Sequence, residues 1–213
     1  ALIDMMSKMP PIELTDIDGV SCPDTAFDVP FDSYEEPLPV LYQSGYLTIK
    51  SVKEVARRYR YTLGFPNTEV RVGFADCLID YINGSGNPSK SHIANAYWQF
   101  YEDDDLSPFI DELQAFFAAY PYDIANQNER HYQSVLYTLL VAFGADVRAE
   151  QTTNRGRIDI VLKMPRTIYV IELKYDGTAD EALAQIRSRG YADGFTLPEY
   201  LDENEEPNKE FDA

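Results

Sequence analysis

The 213-residue sequence contains two cysteines, Cys22 and Cys77, and two histidines, His92 and His131. Two thiols so far apart cannot build a disulfide framework or a zinc knuckle, and they suit a reducing compartment such as the cytoplasm. The two imidazoles stand alone in distant segments and are not expected to be metal ligands. No apolar run approaches the roughly 20 residues of a membrane-spanning helix. The chain opens at Ala1 without a basic and apolar leader, which reads as an internal boundary rather than a signal peptide. No Gly-x-x-x-x-Gly-Lys-Ser/Thr loop occurs, so a nucleotide-binding core of that type is not expected in this sequence. Cations are also scarce, with 18 Lys and Arg against 36 Asp and Glu and a net charge of −18. Such acidity opposes contact with phosphate backbones unless basic residues cluster locally.

What remains is ordinary for a globular protein: 45% apolar and 25% charged residues. The length allows one large domain or two small ones, each able to bury a core. Residues 1–38 carry Pro10, Pro11, Asp16, Asp18, Pro23, Asp24, Asp28, Pro30 and Asp32, and read as an extended connector because Pro breaks helices and Asp favours turns. Residues 39–88 suit a small winged-helix-like module. Tyr46–Lys50 and Tyr59–Leu63 alternate as strands, and Asn67 can cap a helix with the stripe Val70, Phe74, Cys77, Leu78 and Tyr81, stopped by residues 84–88.

Residues 89–123 read as a helical linker region, with helices from His92 to Tyr101 and Ser107 to Ala119. Trp98, Phe100, Phe109, Phe116 and Phe117 are expected in the core, and the acidic run Glu102–Asp105 in a solvated loop. In residues 124–213 a long helix from about Asn126 to Phe143 turns one face through Tyr132, Val135, Leu136, Leu139, Leu140 and Phe143. Strands are expected at Asp146–Gln151, Arg157–Lys163 and Ile168–Lys174, then a helix at Asp180–Arg189. An acidic tail surrounds Asp202 to Glu206.

Chemistry concentrates in the last two strands. The connection Met164-Pro165-Arg166-Thr167 has the length and composition of a hairpin turn. If Lys163 faces Ile168, counting back along both strands sets Asp159 opposite Glu172. Directly opposed residues of an antiparallel pair share a face with Cβ atoms roughly 4.5–5.5 Å apart, so two carboxylates would meet. That is unfavourable without a cation between them. Lys174, two residues past Glu172, falls on the same face, while Ile160, Val170, Ile171 and Leu173 mark the strands as buried, where charges need a reason. Hard oxygen ligands of this kind suit Mg²⁺ or Mn²⁺. Glu129, near the start of the long helix, could join such a site or simply favour the helix dipole. Gln185 lies at the edge of the last helix's apolar stripe, within reach of the sheet. Arg155 and Arg157 suit a phosphate contact or a solvated hairpin edge equally well.

Gly156-Arg157-Ile158-Asp159-Ile160-Val161, Tyr169-Val170-Ile171-Glu172-Leu173-Lys174 and Ala182-Leu183-Ala184-Gln185-Ile186 together resemble the PD-(D/E)XK nuclease superfamily, as does the order helix, three strands, helix. Tyr132-Gln133-Ser134, residues 150–157 and residues 41–49 further resemble a bacterial group in which an AAA-like ATPase domain precedes the nuclease-like domain. The resemblance implies an α/β architecture with a mixed sheet: a restriction-endonuclease-like domain at 124–213, preceded by the winged-helix-like and helical regions, with residues 1–38 as the tail of an upstream ATPase region. It also implies that Asp159 and Glu172 bind Mg²⁺ or Mn²⁺, that Lys174 positions or activates the attacking water, and that Glu129 and Gln185 complete the site. The expected partners are nucleic acid, DNA foremost, and an upstream ATPase domain, with no membrane. The competing expectations are a nuclease-like module without turnover that serves as a binding or regulatory partner of an ATPase, and a winged-helix DNA reader in residues 39–83.

Overall fold

The computed structural model describes residues 14–27, 37–83, 89–118, 128–153 and 155–195. The acidic tail, the 84–88 helix stop and any strand completing the sheet after residue 195 lie outside these residues. The chain divides into two compact units, 1–86 and 87–213.

The first unit begins with α1 (Leu14–Ile17), β1 (Ser21–Pro23) and a 3₁₀ turn (Asp24–Phe27), where an extended connector was expected. Leu14 and Ile17 are buried, so the segment earns its order by packing. Pro23 is tolerated because β1 is an edge strand. Next come α2 (Pro37–Gln43), β2 (Thr48–Val55), β3 (Arg58–Gly64) and α3 (Thr68–Asn83). The sheet order is β1-β3-β2 with both pairings antiparallel. Ala56 and Arg57 both take positive φ, 52° and 64°, as a tight two-residue hairpin turn demands. The Asn67 side chain accepts from the amide of Val70 at 2.9 Å, so the expected cap is present.

The second unit contains α4 (Ser89–Asp103), α5 (Ser107–Ala118), α6 (Glu129–Ala142), β4 (Asp146–Thr153), β5 (Gly156–Lys163), β6 (Ile168–Ile171), α7 (Ala179–Arg189) and a second 3₁₀ turn (Tyr191–Phe195). The sheet runs β4-β5-β6, and every pairing among the described residues is antiparallel, so the parallel component of a mixed sheet is not among them. Helix α6 lies against β4 and β5. Ile158, Val161, Ile186 and Tyr191 form a cluster that joins the sheet to α7.

The helices α4 and α5, expected as a linker, contribute to the same unit's core: Phe100 stacks on Phe109 at 5.9 Å and meets Tyr169 of β6 edge-on at 5.2 Å. Trp98 departs from expectation, being 51% exposed. The buried stripe of α4 is Ile93, Ala96, Tyr97 and Phe100 at helical spacing, which leaves Trp98 on its flank, edge-on to Tyr97 and Tyr101. The acidic run is not uniformly solvated either. Asp104, at φ 58°, accepts hydrogen bonds from the hydroxyls of Thr167 and Tyr169, both at 3.0 Å, and so holds the turn end of the β5–β6 hairpin.

Candidate functional site

The β5–β6 ladder pairs Lys163 with Ile168, Leu162 with Tyr169, Val161 with Val170 and Ile160 with Ile171. This is the register inferred from the turn, and continuing it one step brings Asp159 level with Glu172. The strand stops at that step, however, because β6 ends at Ile171 rather than at Lys174 as expected. The amide of Leu173 donates to the Asp159 carboxylate at 2.9 Å. A side-chain acceptor thus stands in for a ladder carbonyl, the competition that short acidic side chains offer to regular structure.

The other neighbour of Asp159 is irregular as well. Along β4 the pairs Ala149 with Ile160 and Gln151 with Ile158 skip Glu150, whose φ is 52°. The Asp159 carbonyl is instead capped by the buried side chain of Gln133 on α6, at 2.9 Å. A buried carbonyl needs some donor, and here a glutamine supplies it. In the sequence Gln133 stands out only within the Tyr132-Gln133-Ser134 stretch that carries a resemblance. Its role could not be seen there, because a lone amide on an apolar helix face names no partner.

The Glu172 side chain is 2% exposed. Its Oε1 accepts from Lys174 Nζ at 3.1 Å and from Gln185 Nε2. Its Oε2 is buried without a hydrogen-bond partner among the described residues. Lys174 Nζ also stands 3.8 Å from Glu129 Oε1, whose side chain is 43% exposed. Glu129 is held at the first position of α6 by the Asn128 cap, whose side chain accepts from the amide of His131 at 2.9 Å. Gln185 is aimed from α7, which opens with a reciprocal capping box between Thr178 and Glu181. All five candidates, Glu129, Asp159, Glu172, Lys174 and Gln185, therefore belong to one connected neighbourhood.

Burial pushes the Asp159 and Glu172 carboxyls above the usual carboxylate range. The Leu173 amide offsets this for Asp159, and the Lys174 hydrogen bond offsets it for Glu172, while each also feels nearby negative charge. For Lys174 burial acts to lower the pKa. The hydrogen bond to Glu172 and the charges of Glu172, Glu129 and Asp159 outweigh it, and the ammonium is held above its ordinary value.

Among the described residues no group of three or more His, Cys, Asp or Glu side chains has the arrangement to hold a metal ion. A Mg²⁺ ion asks less of the protein, binding through one or two carboxylates and filling its remaining positions with water and phosphate oxygens. Asp159 and Glu172 fit that demand, and Glu172 Oε2 is a buried carboxylate oxygen without a hydrogen-bond partner among the described residues. Arg155 and Arg157, the phosphate candidates, pair with Asp193 at 3.3 Å and Glu150 at 3.4 Å.

Residues 127–203 match the model of the PD-(D/E)XK nuclease superfamily. Two antiparallel sheets with flanking helices are consistent with that fold, and members of the superfamily usually use divalent metal ions. An uncharacterized protein from the vnfD 5′ region of Azotobacter chroococcum mcd 1 is 32% identical over 167 residues, covering 73% of this chain. The shared stretch is 31% of that protein, so this chain spans about a third of the relative's length. No solved structure matches. None of the helices among the described residues is long and apolar enough to cross a membrane.

Proposed function

We propose that the second unit is a metal-dependent phosphodiesterase acting on nucleic acid, DNA foremost, with Asp159 and Glu172 as the ligands of Mg²⁺ or Mn²⁺. The observation that carries this reading is Glu172: a carboxylate 2% exposed, with one oxygen unpartnered, level with a second carboxylate and beside an ammonium. Buried charge is unfavourable unless paired, and the superfamily match supplies the reason for keeping it.

A bound divalent ion would supply Lewis acidity, and a water made more acidic, next to the scissile phosphate. The protein's own groups do the rest. Asp159 and Glu172 must both be ionised to bind the ion, and their raised pKa values set the acidic limit of that state. Lys174, held as an ammonium beside Glu172, offers hydrogen-bond donors. It orients the attacking water or steadies a phosphate oxygen. Gln185 fixes one Glu172 oxygen and so leaves the other for the ion. Glu129 shares Lys174 and keeps it near the carboxylates.

The wider setting belongs to the same proposal: a cytoplasmic bacterial protein in which an AAA-like ATPase domain lies upstream and residues 39–88 are a winged-helix-like module. The sheet order β1-β3-β2, with short helices before the β2–β3 hairpin, supports the last point.

The test is cleavage of plasmid and oligonucleotide substrates at millimolar Mg²⁺ or Mn²⁺. Cleavage should vanish in Asp159→Ala and fall by about 10²–10³-fold in Lys174→Ala. Binding without cleavage by the unaltered chain sinks the reading. It would favour a nuclease-like module that partners an ATPase without turnover, to which the net charge of −18 already lends weight.

A further inference from the structure

In this acidic chain one short segment reverses the balance. The β2–β3 hairpin, Thr48–Gly64, carries Lys50, Lys53, Arg57, Arg58 and Arg60 against the single acid Glu54. Residues 51–60 are exposed without interruption. The register sorts them by face: Lys53 pairs with Arg60 and Val55 with Arg58, while Val52 pairs with Tyr61 and Glu54 with Tyr59. Alternation therefore sets Lys53, Arg58 and Arg60 on one side and the lone acid on the other. Tyr61 packs against Phe27 at 5.0 Å, so its side is the one turned toward the core and the three cations occupy the outer side.

Like charges directly opposite each other on a ladder are destabilising. Lys53, Arg58 and Arg60 nevertheless make no ion pair among the described residues. Beyond Arg60 the ribbon is two-stranded, because β1 pairs only with residues 60–62 of β3. Such a ribbon has the width that the major groove of a duplex admits, roughly 12 Å. On the same side the exposed Val55, opposite Arg58, offers apolar contact beside the charges.

We propose that the outer face of the β2–β3 hairpin docks duplex nucleic acid, with Lys53, Arg58 and Arg60 seated on backbone phosphates. The geometry and charge stand without the catalytic reading, which this inference uses only in choosing nucleic acid over another polyanion. The chemistry recognised is a phosphodiester backbone.

Binding of a labelled duplex of about 20 base pairs to the full 213-residue chain is followed by fluorescence anisotropy in EDTA across a salt series. Combining Lys53→Gln, Arg58→Gln and Arg60→Gln should weaken binding at least about tenfold and flatten the slope of log affinity against log salt by about 3. Glu54→Gln, on the opposite side, should leave the slope unchanged. Thermal melting of the triple variant should show no loss of stability, since a repulsive cluster has been removed, and a loss there transfers the question to Lys53→Gln alone, with an expected slope change of about 1. An unaltered chain that does not bind, or variants with the parent slope, overturns the proposal. Equal binding of polyglutamate overturns it in favour of an acidic protein partner. Cleavage with Mn²⁺ is read in parallel: binding through the hairpin without cleavage spares this inference and sinks the hydrolase, and cleavage with an unaltered slope does the reverse.

Discussion

Lys53 faces Arg60 across the β2–β3 hairpin, and Asp159 comes level with Glu172 where the β5–β6 pairing ends. Both arrangements set like charges side by side, but in different solvents. The cations stand in water, where high dielectric and salt reduce their repulsion to a fraction of a kcal/mol. The carboxylates are largely withdrawn from water, and their environment responds. Their pKa values rise, an ammonium and an amide are drawn in, and the sheet gives up regular pairing around Asp159. An exposed cluster can wait for a counter-ion at little cost, whereas a buried one must be partly neutralised by the protein that holds it.

Removing the internal counter-charge should have the largest effect on this contrast. Lys174→Met leaves Glu172 and Asp159 facing each other without an ammonium and should destabilise the metal-free chain by about 2–3 kcal/mol, below the figure for a fully buried pair because Lys174 retains 22% side-chain exposure. Melting with and without Mn²⁺ checks it, since the ion should recover much of the loss. Next is Gln133→Met, which strands the Asp159 carbonyl and should cost about 1–2 kcal/mol in denaturant unfolding, with no recovery by metal.

Asp159→Asn works in the opposite direction. In EDTA at neutral pH it should stabilise the chain by about 0.5–1 kcal/mol while abolishing cleavage, the trade expected where function keeps an unfavourable charge. The pH dependence follows from the raised carboxyl pKa values. The folded chain binds these protons more tightly than the unfolded one, so their contribution is greatest in acid. It declines as pH rises from the ordinary carboxylate range through the folded-state values. The advantage of Asp159→Asn should therefore shrink as the solution is acidified, and an advantage that grows would contradict the assigned direction. The smallest effect belongs to the exposed hairpin: Lys53→Gln should shift stability by less than about 0.5 kcal/mol, in the stabilising direction and only at low salt.

The sequence disclosed the β5–β6 register because a short turn of Pro and polar residues leaves few ways to pair the flanking strands. It could not disclose that β6 stops before Glu172, since Ile-Glu-Leu-Lys alternates as a strand should. What ends the strand is a carboxylate fourteen residues earlier, which takes the amide of Leu173. The strand β1 was hidden for another reason: three residues with a proline carry no periodicity, and their order comes from Thr62, Tyr61 and Arg60, far along the chain. Asp104 reads as solvated because it lies within an acidic run, and only the fold reveals the two hydroxyls that select it. Asp159, Glu172 and Lys174 were legible together because strand alternation constrains faces, whereas Glu129 and Gln185 joined them only through the resemblance. Gln133 was not legible, because the donor for a backbone carbonyl leaves no mark in the sequence.

The hairpin turn between β4 and β5 carries one further consequence. Gly156 has a φ of 152°, and a Cβ placed there would come within 2.6 Å of the Tyr191 hydroxyl and 3.2 Å of an Arg189 guanidinium nitrogen. Tyr191 is 3% exposed and belongs to the cluster under α7, so it has little room to retreat. In a library in which every codon of the chain is varied and folding is the selection, position 156 should return a single letter. Survivors at that position with another residue should carry a second change at Tyr191 or Arg189.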